Sequence, residues 1–286
     1  KAGQSAARLA AWHEAIEQFE HALEGTRQHG EQVSILSALA QAQLNSGQAA
    51  LAVESYRRAI HIEKDPELRT DLRLELCLAY FALARYGEAL ALAAQLANGG
   101  DGAATTPFQQ ARAELLRGTI LSAEGADLQA ASTHLERALV LMANCPTTSP
   151  TLMAQAQFER GGLAAQQGDL ATALGYYEQT LAIAREDGDL PMWEALALNN
   201  LAYHLLLSGD RARLPEADIL ARQGLRLAED RGLLNLLPYL YSTRGELQLA
   251  AGNVADAQES FLAGLAQAEA IGHQERIAGL NANLGL

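Results

Sequence analysis

Apolar residues recur along the chain at the three- and four-residue spacings of amphipathic helices. One such stripe follows a break at Gly168-Asp169 and consists of Leu170, Ala173, Tyr177, Leu181 and Ala184. A second helical pattern precedes the same break. β-branched residues are too sparse for any segment to resemble a strand. The pattern therefore predicts a helix–turn–helix hairpin in an all-α protein.

The hairpin pattern repeats along the chain. The glycines that stand between two helical patterns are Gly47, Gly125, Gly168, Gly209 and Gly252. They lie about 40 residues apart, except for one gap of about twice that length, in which Ala84 takes the place of the missing glycine. This period is typical of arrays of helical hairpins.

Proline after a capping residue marks helix starts at the same period. Asp65-Pro66, Thr106-Pro107 and Ser149-Pro150 each place a side-chain oxygen at the N-cap and a proline at the first helical position. We predict about seven hairpins, with a helix break around Ala10-Ala11. Because both ends cut through a hairpin and neither resembles a capping repeat, we expect one solenoid over residues 1–286 that is a fragment of a larger protein.

The hairpins resemble tetratricopeptide repeats. That family has a small residue in the first helix, glycine with Asp or Asn at the turn, and alanine followed by an aromatic residue in the second helix. One hairpin matches at Gly161, Gly168, Asp169, Ala173 and Tyr177, and another at Gly245, Gly252, Asn253, Ala257 and Phe261. The resemblance covers essentially the whole chain, and it implies a right-handed superhelical solenoid of stacked hairpins.

The period of about 40 residues is longer than the roughly 34 of the simple repeat. A long period is similar to the sensor arm of the maltose-regulon transcription activator and related bacterial signal-transducing ATPase regulators. Kinesin light chain and the Leu-Gly-Asn-rich polarity adaptors also have repeats of this length.

Charge and cysteine usage narrow the function classes. The formal net charge is −13, so we expect no direct binding to nucleic acid. The two cysteines, Cys77 and Cys145, have neither disulfide nor metal-site spacing. We expect Cys77 to be a buried thiol, which fits a reducing cytoplasm. No apolar run is long enough to suggest a membrane span.

Catalytic motifs are missing from the sequence. It has no phosphate-binding loop of the G-x-x-x-x-G-K-[ST] type, no H-E-x-x-H and no G-x-S-x-G. His13, His21 and His29 recur every eight residues and therefore drift around a helix instead of converging on a metal. We expect no enzyme activity, no cofactor and no metal.

A stacked-hairpin solenoid lines its concave groove with first helices, which makes that face the expected binding surface. By register from the turn glycines, Asp71 and the following candidates face the groove: Arg112, Gln155, Phe158, Asn199, Asn200, Tyr203, Tyr239, Ser242 and Glu246. Asn199, Asn200 and Tyr203 form the sharpest group, because Asn donates to and accepts from a peptide backbone and Tyr adds a rigid contact. Alternatively, Asn200 bonds a neighbouring helix.

These observations, with the resemblance, indicate a non-catalytic interaction module of a larger transcriptional or signalling regulator. It would bind a protein or peptide partner, or a small-molecule inducer, in its concave groove. The alternative is an adaptor that recognises linear peptides, similar to the repeat domain of kinesin light chain.

Overall fold

A computed structural model describes residues 2–99, 105–145, 149–186 and 190–285. Within these ranges the chain forms fourteen α-helices and no strand, so the predicted all-α class is confirmed. The helices are α1 (Ala2–Gly25), α2 (His29–Asn45), α3 (Ala49–Ile62), α4 (Pro66–Ala82), α5 (Tyr86–Ala97), α6 (Pro107–Glu124), α7 (Leu128–Ala143), α8 (Pro150–Gln166), α9 (Leu170–Glu186), α10 (Pro191–Leu207), α11 (Leu214–Arg231), α12 (Leu237–Ala250), α13 (Val254–Ala270) and α14 (Gln274–Leu284). A 3-10 turn, Arg211–Arg213, precedes α11.

The helices group into two compact units. One unit is Arg8–Thr148, in which α2/α3, α4/α5 and α6/α7 form successive hairpins. The other is centred on Ser149–Leu286, with the hairpins α8/α9, α10/α11 and α12/α13, followed by α14 against α13. The first helices of neighbouring hairpins also touch within each unit, which is the packing of stacked helical hairpins. That the chain is one solenoid over residues 1–286 remains a prediction.

The predicted turn positions are confirmed by their backbone angles. Five turn glycines have the positive φ that glycine adopts most readily: Gly47, Gly125, Gly168, Gly209 and Gly252. Ala84 stands at the place where the repeat lacks a glycine, and its φ is 54°. Among the described residues it is the one non-glycine with positive φ, so the turn geometry is kept there despite the side chain.

Side-chain caps begin the helices where the sequence predicts them. Asp65 accepts hydrogen bonds from the backbone N–H groups of Glu67 and Leu68, at 2.8 Å and 3.3 Å. Thr106 and Gln109 form a reciprocal capping box. The Ser149 hydroxyl accepts from the N–H of Leu152 at 3.4 Å. Each cap pairs a backbone donor that the first helical turn leaves unsatisfied.

The predicted break around Ala10-Ala11 is wrong, because α1 runs without interruption from Ala2 to Gly25. Alanine is the strongest helix former, and neither glycine nor proline lies between Gln4 and Glu24. The end of an apolar stripe was therefore not the end of a helix.

Small residues let the two helices of a hairpin approach closely. A methyl group placed on Gly161 of α8 would lie 2.6 Å from Cε1 of Tyr177 in α9. Gly118 meets Leu135 in the same way, and Gly245 meets Phe261. These three large side chains are almost fully buried, so each occupies the space that the facing glycine leaves open.

Few ionisable groups are buried in the described part of the chain. The Cys77 thiol is buried as predicted, and burial raises its pKa to about 12. Glu114 lies beneath α7, with Oε2 2.5 Å from Nδ1 of His134 and Oε1 3.2 Å from Arg117 Nη1. None of the described helices is both long and apolar enough to cross a bilayer.

The Gly161 contact gives a direct test of the packing. We expect Gly161→Ala to lower the free energy of unfolding by about 1–3 kcal/mol, because the new methyl group collides with the buried Tyr177 ring. The matched control is Gly175→Ala in α9, where nothing lies within 4 Å of the new methyl group. Higher helix propensity should raise its stability by up to about 1 kcal/mol. Urea denaturation measures both, and equal effects would contradict the packing account.

Candidate functional site

The first helices of the second unit lie side by side. α8 contacts α10, α10 contacts α12, and α12 contacts α14, so the four helices share a surface. Polar and aromatic side chains gather where three of them meet. We call this group the first-helix cluster: Tyr203 of α10, Tyr239, Ser242 and Glu246 of α12, and Arg276 and Asn283 of α14.

Glu246 accepts hydrogen bonds at the centre of the cluster. The Ser242 hydroxyl donates to its Oε1 at 3.2 Å, and the amide of Asn283 donates to Ser242 Oγ at 3.3 Å. Burial raises the pKa of the Glu246 carboxyl, although hydrogen bonds from Ser242 and Asn283 and the charge of Arg276 oppose part of that shift. The cluster thus holds a half-buried carboxyl whose charged form is only partly compensated.

Arg276 lies across the ring of Tyr239. Its Cζ is 4.6 Å from the ring centroid, which is a cation–π contact. His273 caps α14 by accepting the N–H of Arg276 at Nδ1, and its Nε2 lies 3.0 Å from Tyr239 Oη, within hydrogen-bond distance. Among the described residues the buried Nε of Arg276 has no hydrogen-bond partner, while its Nη2 lies 3.3 Å from Glu275 Oε1. An oriented guanidinium with an unused donor therefore faces α12.

Tyr203 of α10 lies close enough to Glu246 and Arg276 for their charges to affect the pKa of its hydroxyl. Burial raises the pKa of its hydroxyl, and the nearby Glu246 charge raises it further, while Arg276 lowers it. The ring of Tyr203 packs edge-on against His204, with centroids 5.4 Å apart. Burial lowers the pKa of His204, whose Nδ1 lies 2.7 Å from the carbonyl oxygen of Asn200.

The other predicted residues of this unit have different surroundings. The side-chain oxygen of Asn199 is buried and has no hydrogen-bond partner among the described residues. Phe158 packs between two rings, with centroids 5.5 Å from Tyr177 and 5.7 Å from Trp193. Gln155 is half-buried on α8. Tyr203, Tyr239, Ser242 and Glu246 are thus brought together, while Phe158 contributes mainly to the core.

Arg112 belongs to the first unit, where it holds two first helices together. Its Nη2 is 2.6 Å from Glu75 Oε1, and its Nη1 is 3.4 Å from Asp71 Oδ1. Asp71 also accepts from the Gln109 amide at 3.1 Å. Both acids are on α4 and Arg112 is on α6, so the charge of this predicted binding residue is already paired within the protein.

Sequence reasoning missed the contribution of α14. Arg276 and Asn283 were not among the candidates. The signal was present, because Asn283 lies about one repeat beyond Ser242 and so occupies the equivalent face. No group of three or more His, Cys, Asp or Glu side chains in the described ranges is arranged to hold a metal ion.

Comparisons with known proteins identify the class of fold. No protein-family model and no curated protein sequence matches the chain. Among solved structures, a Rap protein complexed with competence and sporulation factor is 15% identical, with a TM-score of 0.61, covering 99% of this chain and 97% of the other. Bacillus thuringiensis PlcR, in complex with the peptide PapR7 and DNA, is 14% identical, with a TM-score of 0.64 and coverages of 85% and 83%.

A third similar structure is a signal transduction ATPase with numerous domains from Pyrococcus horikoshii, which has a tetratricopeptide repeat sensor. It is 14% identical with a TM-score of 0.66, and the match covers 93% of this chain but 42% of that one. At these identities the likeness shows the fold alone, which is a tetratricopeptide-like stack of helical hairpins. The resemblance to the maltose-regulon type in particular remains a prediction.

The raised pKa of Glu246 gives a pH-dependent test of the cluster. A carboxyl whose pKa is raised by folding stabilises the protein at low pH, and this contribution is lost as the pH rises through the folded-state pKa. Replacing Glu246 with Gln should therefore raise the free energy of unfolding more at about pH 7 than at about pH 4. The difference should be below about 1 kcal/mol, since the site is partly solvated. An exposed carboxylate, Glu269, provides the control variant Glu269→Gln; identical pH profiles for the two variants would argue against a desolvated Glu246.

Proposed function

We propose that this chain is a non-catalytic module of a larger regulatory protein and that it binds a peptide segment. The peptide would lie on the surface that α8, α10, α12 and α14 of the second unit share, which we call the first-helix face. The observation that carries the proposal is the first-helix cluster itself. Three helices place hydrogen-bonding, aromatic and charged side chains together there, half-buried and partly unsatisfied.

An extended peptide suits the chemistry of this surface. Its backbone offers alternating N–H and C=O groups, which Asn, Ser and Glu side chains pair as acceptors and donors. Asn199 has a buried oxygen and Arg276 a buried N–H without partners, and leaving such groups unpaired costs free energy. Both atoms are closed to solvent, so a peptide would pair them only after the two side chains turn outward. Tyr203 and Tyr239 add contact area with little loss of side-chain freedom.

Two of the similar structures support this proposal because they contain a bound molecule. PlcR was solved with a peptide and DNA, and the Rap protein with competence and sporulation factor. These proteins favour a peptide-responsive regulator. A role in transcription or signalling, and a location in the cytoplasm, form part of the proposal.

A sensor arm is the second candidate function. The Pyrococcus horikoshii ATPase carries a tetratricopeptide repeat sensor, and this chain matches 42% of that protein's length. In that arrangement the first-helix face would bind a partner or a small inducer and pass the signal to an effector domain. The binding surface would then be the same, but binding would control an effector domain of the same protein.

Selection of peptides on the protein tests the proposal. A phage library of random linear peptides is panned against the chain, and the best binder is synthesised and titrated by calorimetry. We expect the variant Asn199→Ala/Tyr203→Ala to weaken its binding at least about tenfold, as expected when central contacts are removed.

The matched control for this titration is Gln223→Ala/Leu262→Ala, which changes exposed residues on the second helices α11 and α13. It should bind the peptide as the unmodified chain does. If both double variants bind with the unmodified affinity, the peptide sits elsewhere and the first-helix face is not the binding surface. If no peptide is selected, the chain is not a linear-peptide module.

A further inference from the structure

Two adjoining cavities open beside α12, away from the first-helix cluster. One, of about 220 Å³, lies between α11 and α12; the other, of about 320 Å³, lies between α12 and α13. Tyr241 and Arg244 line both. Since successive helical residues are rotated by about 100°, Arg244 points to the opposite side of α12 from Ser242 and Glu246. These cavities are therefore a separate surface from the proposed peptide site.

The smaller cavity is basic in an acidic protein. We call it the arginine cavity, and it is lined by Arg222, Leu225, Arg226, Glu229, Tyr241 and Arg244. Three guanidinium groups thus face one carboxylate, although the formal charge of the chain is −13. The residues that line this cavity thus carry more positive than negative charge, whereas the chain as a whole carries more negative charge.

Two of these arginines have neither a hydrogen-bond nor an ion-pair partner among the residues that the structure describes. Arg222 pairs with Asp218 one helical turn away, and the Glu229 carboxylate accepts a hydrogen bond from Tyr241 Oη at 2.7 Å. Arg226 and Arg244 make neither a hydrogen bond nor an ion pair with any described residue. Arg244 is also half-buried, and a partly desolvated charge without a partner costs free energy.

We infer that the arginine cavity binds a phosphate monoester group. Guanidinium forks pair two oxygens of one anion at a time, and Arg226 and Arg244 offer two such forks from adjacent helices. A phosphate monoester has three strong acceptor oxygens and can therefore pair both forks at once, whereas a carboxylate has only two oxygens. Leu225 and the Tyr241 ring add apolar atoms to the lining of the cavity.

The test is a calorimetric titration of the chain with inorganic phosphate, and with acetate as the monovalent comparison, at fixed ionic strength. We expect saturable binding of phosphate that is tighter than that of acetate. Arg226→Gln/Arg244→Gln should weaken phosphate binding at least about tenfold, because charge-assisted hydrogen bonds are lost. Arg226→Gln alone changes an exposed residue and serves if the double variant does not fold.

Two further arms identify the source of the group. A tripeptide containing phosphoserine and its unphosphorylated twin are titrated in parallel. Tighter binding of the phosphotripeptide than of inorganic phosphate points to a phosphorylated protein segment, and equal binding points to a free phosphate compound. The assigned anion chemistry stands in either case.

The matched control is Arg211→Gln/Arg231→Gln, which removes two exposed positive charges from the same unit outside the cavity. It should bind phosphate as the unmodified chain does. The inference is overturned if the unmodified chain shows no saturable phosphate binding, if acetate binds as tightly as phosphate, or if the control pair loses as much affinity as the cavity pair.

Discussion

At Gly161 the backbone of α8 lies against the ring of Tyr177, with no room for a methyl group between them. Gly118 and Leu135 pack in the same way: the large side chain fills the space that the glycine leaves open. A hairpin closed in this way still exposes apolar surface on its outer sides, so it is stable only when neighbours stack on it. Close approach within hairpins and stacking between them together fix where the first helices lie.

The surroundings of α12 differ from one side of the helix to the other. On α12, Gly245 and Leu247 are buried in the stack, whereas Ser242 and Glu246 point toward neighbouring first helices and form the polar cluster. The opposite side of the same helix contributes Arg244 to the arginine cavity. One side of α12 therefore carries hydrogen-bonding and acidic groups and the other side carries an arginine, because the neighbouring helices on the two sides differ.

Local chemistry in the sequence was enough to predict the turns and helix starts. The Asp65 cap depends on residues within one helical turn, and Ala84 could be recognised because the period demanded a turn there. Side-chain partners were not predictable in this way. Arg112 pairs with Glu75, and Arg276 stacks on Tyr239, through contacts more than 30 residues apart in the chain, which a single sequence does not encode locally. Repeat register placed Tyr203 and Glu246 on one face, but it said nothing about which polar groups would be left unsatisfied.

Site-specific photo-crosslinking tests most directly whether the first-helix face is the binding surface. Benzoylphenylalanine is placed at position 203, in the first-helix cluster, or at position 262, an exposed site on α13. Each protein is irradiated with the selected peptide, and the products are identified by mass spectrometry. We predict a covalent adduct from position 203 and none from position 262. An adduct from position 262 with none from position 203 would contradict the account.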